Sequence, residues 1–266
     1  MLDLRAMMGR GYVRVVGSIR EPLWILSDGV MPAFGMCAYV LMYRALGAPR
    51  DFEAIAVLGG VLSVYWLNVL WGMGAQLYWE KQQGQLQLYF AAPCSRMAIL
   101  TGMATGGLIM TSTRALIGLA VGFGILGVRL DPFSVWKLLA VFLATMGALY
   151  ALGMLFASVF LLHGREAWHL CTALQEPVYF LSGLYFPLRT LGTLGAVAAG
   201  LVPLGLGIDA MRQVLLGANA RGLFPLRYEV AALVVLAVAL YFAARWGMRH
   251  LERLAKREGR LTQRWL

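Results

Sequence analysis

Charge is scarce in this 266-residue chain: Asp, Glu, Lys and Arg make up 14% of it, where soluble domains carry about 25%. With 60% apolar residues and a mean hydropathy of +0.70, the chain has too little polar material to cover a water-facing surface. Cysteine is scarce as well. Cys37, Cys94 and Cys171 stand far apart and form no CxxC or Cys/His spacing, which argues against a disulfide or zinc framework. Also missing are HExxH, GxSxG, paired aspartates and Cys/His clusters, so no catalytic site is expected in this chain. There is no GxxxxGK[ST] loop to cradle nucleotide phosphates, and ATP hydrolysis by that route is excluded. His163 and His169 lack ligand-spaced partners, and no metal site is expected.

What the chain has is long uncharged runs. A helix needs about 20 mostly apolar residues to cross a hydrocarbon core of roughly 30 Å, because every backbone amide there must be satisfied internally. The expected fold is an all-α membrane protein, with six transmembrane helices at 23–45, 54–79, 97–127, 137–162, 167–187 and 229–249 inside a domain spanning 23–251. The fifth is interrupted by Pro177. Before the sixth, the stretch 188–216 carries Gly192, Gly195, Gly200, Gly205, Gly207 and Pro203, a backbone that suits a re-entrant hairpin rather than a span.

The net charge is +10, from 23 Lys and Arg against 13 Asp and Glu, and its placement is informative. Arg5, Arg10, Arg14 and Arg20 precede the first span. Arg245, Arg249, Arg253, Lys256, Arg257, Arg260 and Arg264 close the last span and fill the tail, 252–266. Basic flanks favour the cytoplasm, so both ends belong there and the number of crossings must be even. The spacing of Tyr12, Val13, Val15, Val16 and Ile19 between arginines suits an interfacial helix over 1–22, with an ordinary basic flank as an equal reading. The partner of this charge is membrane lipid rather than nucleic acid.

Between the second and third spans lies WEKQQGQLQLYFAAPCSRM, polar at first and then apolar through Leu86, Leu88, Tyr89 and Phe90 before a stop at Pro93. Over 80–92 it reads as a short amphipathic helix, which could lie in the lipid interface or dock a soluble partner. The series Glu80, Gly84, Leu86, Leu88, Pro93 and Arg96 resembles the membrane subunits of type-2 ABC transporters, the drug, lipid and polysaccharide export permeases. A second match, PVYFLSGLYFPL over 177–188, is similar to that family's fifth span, and Pro203, Asp209 and Arg212 fall where its re-entrant segment lies. Gln85 and Gln87 stand where the family often has threonine and glutamate, which removes a salt bridge from that second position.

The resemblance implies a permease that acts as a dimer, with a second copy or a paralogue, in a bacterial inner membrane. It implies separate ABC ATPase subunits, which carry the ATP and Mg and grip Glu80, Gly84, Leu86, Gln87, Leu88, Tyr89, Phe90, Pro93 and Arg96. From the residues themselves, Tyr65, Asn68 and Gln76 share one helical face, and Thr172, Glu176 and Tyr179, with Ser182 beside them, form another. Both could line a path for an amphipathic substrate, and both could equally serve helix packing, as could the Gly102/Gly106 pair. Arg114 and Glu176 are isolated intramembrane charges of opposite sign, expected to pair. Two other classes stay open: an intramembrane enzyme acting on a lipid or prenyl-linked substrate, and a stand-alone carrier.

Overall fold

The computed structural model describes residues 2–130, 132–163, 167–217 and 222–258, and among these the regular structure is entirely helical. Helix α1 covers Leu2–Ile19 and α2 Pro22–Ala45. Helix α3 (Arg50–Leu67) runs through a π-helical stretch, Asn68–Gly74, into α4 (Gln76–Gln82). The short α5 (Leu86–Ala91) precedes α6 (Arg96–Leu119), which ends in a second π-helical stretch, Ala120–Ile125. Then come α7 (Val135–His163), α8 (Ala167–Leu181), α9 (Gly192–Gly200), α10 (Pro203–Leu216) and α11 (Leu226–Glu258).

Local chemistry sets the ends. Pro22 opens α2, where its missing amide hydrogen costs nothing. The Ser95 hydroxyl caps α6 by accepting from the Ala98 N–H at 3.1 Å. The far ends of three helices are tied by Arg44, which bonds the Glu53 carboxylate at 2.7 Å and the Leu126 carbonyl at 2.5 Å.

Five helical runs are long and apolar enough to cross a membrane: Ile25–Ala45, Arg50–Gln82, Arg96–Ile125, Val135–Leu161 and Leu226–Arg253. They correspond to five of the six expected spans. The run Arg50–Gln82 is enclosed by the others, with Trp66 fully buried and edge-on to Phe156 at 6.2 Å. Helices α2 and α11 lie at the periphery and expose Leu23, Phe34, Leu41, Val235, Val238 and Phe242. Such a belt of large apolar side chains is unfavourable in water and suited to hydrocarbon.

The stretch expected to be a fifth span differs. Helix α8 has 15 residues, about 22 Å at a 1.5 Å rise and short of the hydrocarbon core. It ends because Gly183 turns left-handed, with φ of +58°, and the chain leaves as an irregular segment. Residues 188–216 become a 3-10 turn followed by α9 and α10, of 9 and 14 residues, separated at Pro203.

The N-terminal helix packs against the bundle. Helix α1 runs alongside the first half of α6 in the same direction. Asp3 meets Ser95, Met7 meets Gly102 and Gly11 meets Gly106. A Cβ at Gly102 would sit 2.5 Å from the Met7 carbonyl oxygen, and one at Gly106 2.9 Å from that of Gly11. The Gly102/Gly106 spacing therefore seats α1 against α6, the close backbone approach that small residues permit. The end of the basic tail, 259–266, lies outside the described residues.

Candidate functional site

At one end of the bundle the loop between α4 and α6 is built as follows. Gly84, at φ +76°, lets the chain reverse after α4, with the Gln85 N–H bonded back to the Glu80 carbonyl at 2.9 Å and the Gly84 N–H to that of Lys81 at 3.1 Å. Helix α5 then turns Leu86 inward, 2% exposed, and Leu88 outward, 70% exposed. Pro93 and the Ser95 cap complete the return into α6. The backbones of Gln87 and Phe90 belong to α5, while their side chains lie outside the described residues.

Beneath α5 lies a buried ionic latch. The Glu80 carboxylate accepts from the Arg10 guanidinium of α1 and from Gln76 Nε2 at 2.9 Å. The same guanidinium lies 5.2 Å from the centre of the Tyr89 ring, a cation–π contact. Burial, with the Glu80 carboxylate adding to it, pushes the Tyr89 phenol up to about 12, so it stays neutral under physiological conditions. Arg96 pairs with Glu252 of α11 at 3.0 Å, and the Ser95 N–H donates to Asp3 at 2.6 Å. The loop is thus bonded to the first helix and the last.

A cavity of about 900 Å³ opens among α1, α2, the α3–α4 run, α6 and the segment at and after α8. Asn68, Trp71, Gly72, Gln76 and Trp79 form one wall. Arg14 and Ser18 come from α1, Asp28 and Met31 from α2, Met110 and Arg114 from α6, and Tyr179 and Tyr185 close the remaining side. Asn68 accepts from the Tyr150 hydroxyl at 3.2 Å, and Trp71 Nε1 donates to Gln175 at 3.0 Å. The wall from Asn68 to Gly74 is the π-helical stretch, in which the Leu70 carbonyl accepts from the Ala75 N–H at 3.0 Å.

Of the residues expected along a path, Asn68, Gln76 and Tyr179 line this cavity. The other four lie elsewhere. Tyr65 is buried, its hydroxyl 3.0 Å from that of Ser112 and its ring edge-on to Phe142. Thr172 and Glu176 lie on the exposed side of α8. Ser182 is buried and its hydroxyl meets no partner among the described residues.

The expected Arg114–Glu176 pair is corrected. Arg114 binds Asp28 of α2 at 2.9 Å, while Glu176 accepts from the neighbouring Gln175 at 3.2 Å. The physical reason is that α2 packs along α6, with Gly29 set against Ile117 and the Arg114 carbonyl. Exchanging the two charges, Asp28→Arg with Arg114→Asp, is expected to restore the transport that each single change abolishes. Transport assays of the three variants check this.

At the opposite end, the Arg212 guanidinium of α10 is buried and donates to the carbonyls of Gly183, Leu184 and Phe186. Asp209 accepts from the Leu223 N–H at 2.6 Å, and Glu229 from the Phe224 N–H at 3.1 Å and from Gln213 at 2.8 Å. These bonds clamp the α8 exit to α10, and the α10–α11 connection to both helices. Sequence reasoning placed Asp209 and Arg212 in this region but did not foresee the clamp. It also missed Arg14 as a cavity residue, since nothing in an arginine-rich flank distinguishes the one that turns inward. Among the described residues no cluster of three His, Cys, Asp or Glu side chains could hold a metal.

Five long apolar helices with a lipid-suited periphery and a cavity of mixed polarity between them define a multi-pass membrane protein. The family model for the ABC-2 type transporter matches residues 16–216, and the chain belongs to that family of membrane permeases. It is therefore a membrane component of a transporter. A search of curated proteins finds no match.

Proposed function

We propose that this chain is the permease subunit of an ATP-driven exporter, paired with a second permease chain and coupled through α5 to separate ATPase subunits. The observation that carries this reading is the exposure of Leu88 on a short helix whose other face is fixed to the bundle by Leu86, Glu80 and Arg10. A rigidly mounted helix with an apolar tip is suited to transmitting a push. Movement of a docked ATPase would pass through Gly84 into the α3–α4 run on one side, and through Pro93 into α6 on the other. These two long helices line the cavity, and tilting them would change its access.

In this reading both termini are cytoplasmic, in a bacterial inner membrane. The fifth crossing is made by α8 with the segment that follows it, and α9 and α10 form the re-entrant pair. The aromatic and polar walls of the cavity suit an amphipathic substrate.

Leu88→Asp is expected to weaken ATPase binding by about 2 kcal/mol or more, because an unpaired carboxylate would be buried at the contact. Membrane insertion should be unchanged, since Leu88 supports nothing in the fold. Co-purification of the ATPase with each form tests this. Equal recovery with the aspartate variant would sink the proposed coupling role of α5.

A further inference from the structure

The charges that line the cavity are not balanced. Arg114 is neutralised by Asp28 at 2.9 Å. Glu80, whose carboxylate acts on Arg14 through its charge, is engaged by Arg10 and Gln76. Among the described residues no carboxylate lies within 4.0 Å of the Arg14 guanidinium.

Arg14 is held in this position by the fold. Its side chain passes over Gly106, where a Cβ would be 3.1 Å from the Arg14 Cβ, and past Gly107, where one would be 3.5 Å from Nε. The guanidinium then reaches Gly72 and Asn68, both on the cavity wall. A side chain at Gly72 would collide with it, so the gap left by that glycine is the space the guanidinium occupies. Burial lowers the group to about 10, offset in part by Tyr150, and it remains a cation at neutral pH.

Arg14 is half-buried, and a cation withdrawn from water on most sides is costly unless an anion meets it. Around it the cavity offers apolar and aromatic surface from Met31, Trp71, Trp79 and Tyr179. We infer that the cavity binds an anionic amphiphile, a phosphate, sulfate or carboxylate head on an apolar body, with Arg14 receiving the head and the aromatic walls the body. This rests on the reading of the cavity as the place of the substrate and adds the chemistry that selects it. The same head chemistry could arrive on a membrane lipid or on an amphipathic anion from water.

Trp71 and Trp79 line the cavity and supply the signal. The full chain is reconstituted in phosphatidylcholine nanodiscs, and tryptophan quenching is titrated with three amphiphiles carrying the same brominated dodecyl chain. One bears a phosphate head, one trimethylammonium and one maltoside. The phosphate is expected to quench at concentrations about tenfold lower than the other two, the gain of charge-assisted hydrogen bonds in a buried site. Trp71→Phe with Trp79→Phe should remove the signal, which locates it. Arg14→Gln should erase the preference and Arg14→Lys should keep part of it. Asp28→Asn, which frees Arg114, should widen it and offers a readout independent of Arg14.

Brominated phosphatidic acid placed in the nanodisc then separates the sources: quenching by it assigns a lipid, and quenching by the soluble phosphate alone assigns an aqueous anion. Both outcomes support an anionic head. Equal quenching by all three heads, or a phosphate preference that survives Arg14→Gln, overturns the role of Arg14 and leaves the cavity a binding site. Absence of quenching at Trp71 and Trp79 by any probe overturns the cavity reading itself.

Discussion

Replacing Glu80 with alanine is expected to cost about 3–5 kcal/mol of stability, and to abolish the proposed coupling before it abolishes insertion. Glu80 is 2% exposed and holds Arg10 of α1, while one of its oxygens also accepts from Gln76. Removing the carboxylate strands a guanidinium against the Tyr89 ring with no counter-ion. Arg10→Met with Glu80→Ala should recover much of the loss, since both charges are then gone and an apolar chain fills the space. Thermal unfolding of the purified variants, together with ATPase stimulation, measures both effects. A double variant as unstable as the sum of the singles would mean that the two residues do not act as a pair.

Gly59→Val is expected to be the most damaging single substitution in the centre of the bundle. A Cβ at position 59 would fall on the backbone carbonyl of Leu184, in the segment that Arg212 fastens. Overpacking usually costs about 1–3 kcal/mol when side chains can yield. Here the obstruction is backbone held by three Arg212 bonds, so the expected outcome exceeds that range and appears as loss of folded protein. Gly118→Ala, where the nearest atom is a Val61 methyl at 3.4 Å, should be tolerated and serves as the control. Yield and monodispersity in detergent distinguish the two.

The long spans were legible because hydrocarbon imposes one requirement on every residue of a run, and that requirement is compositional. Four of the expected spans were free of charge or nearly so, and all four correspond to helices of crossing length. The stretch at 167–187 met the same composition but not the geometry. Its end is set by the conformation of Gly183, and its position by an arginine some thirty residues away in sequence, neither of which hydropathy measures. The packing of the first helix was hidden for a related reason. Its alternation of arginine and apolar residues suits an interface, and nothing in it shows that two of those arginines turn inward, to Glu80 and beside Asn68.

The candidate sites divide along the same line. The turn at Gly84, the reversal at Pro93 and the cap at Ser95 are local, and the loop could be read from consecutive residues. The cavity is not local. It assembles side chains from α1, α2, the α3–α4 run, α6 and the α8 segment; of the residues that polar periodicity singled out, Asn68, Gln76 and Tyr179 line it, while Thr172, Glu176, Tyr65 and Ser182 do not. Arg114 was recognised as needing a partner and Glu176 was expected; Asp28 takes that place because packing brings α2 alongside α6.

The measurement that tests the proposed coupling most directly is a single-site cross-link. Cys37, Cys94 and Cys171 are replaced with alanine, Leu88 is replaced with cysteine, and native membranes are treated with a short thiol-to-amine cross-linker, with and without ATP. The expected product contains a nucleotide-binding ATPase, with a yield that changes when ATP is added. None is expected from a cysteine placed at Trp136, which is 80% exposed at the start of α7. No ATPase joined to position 88, or an equal yield from position 136, would contradict coupling through α5 and leave it a helix without the proposed partner.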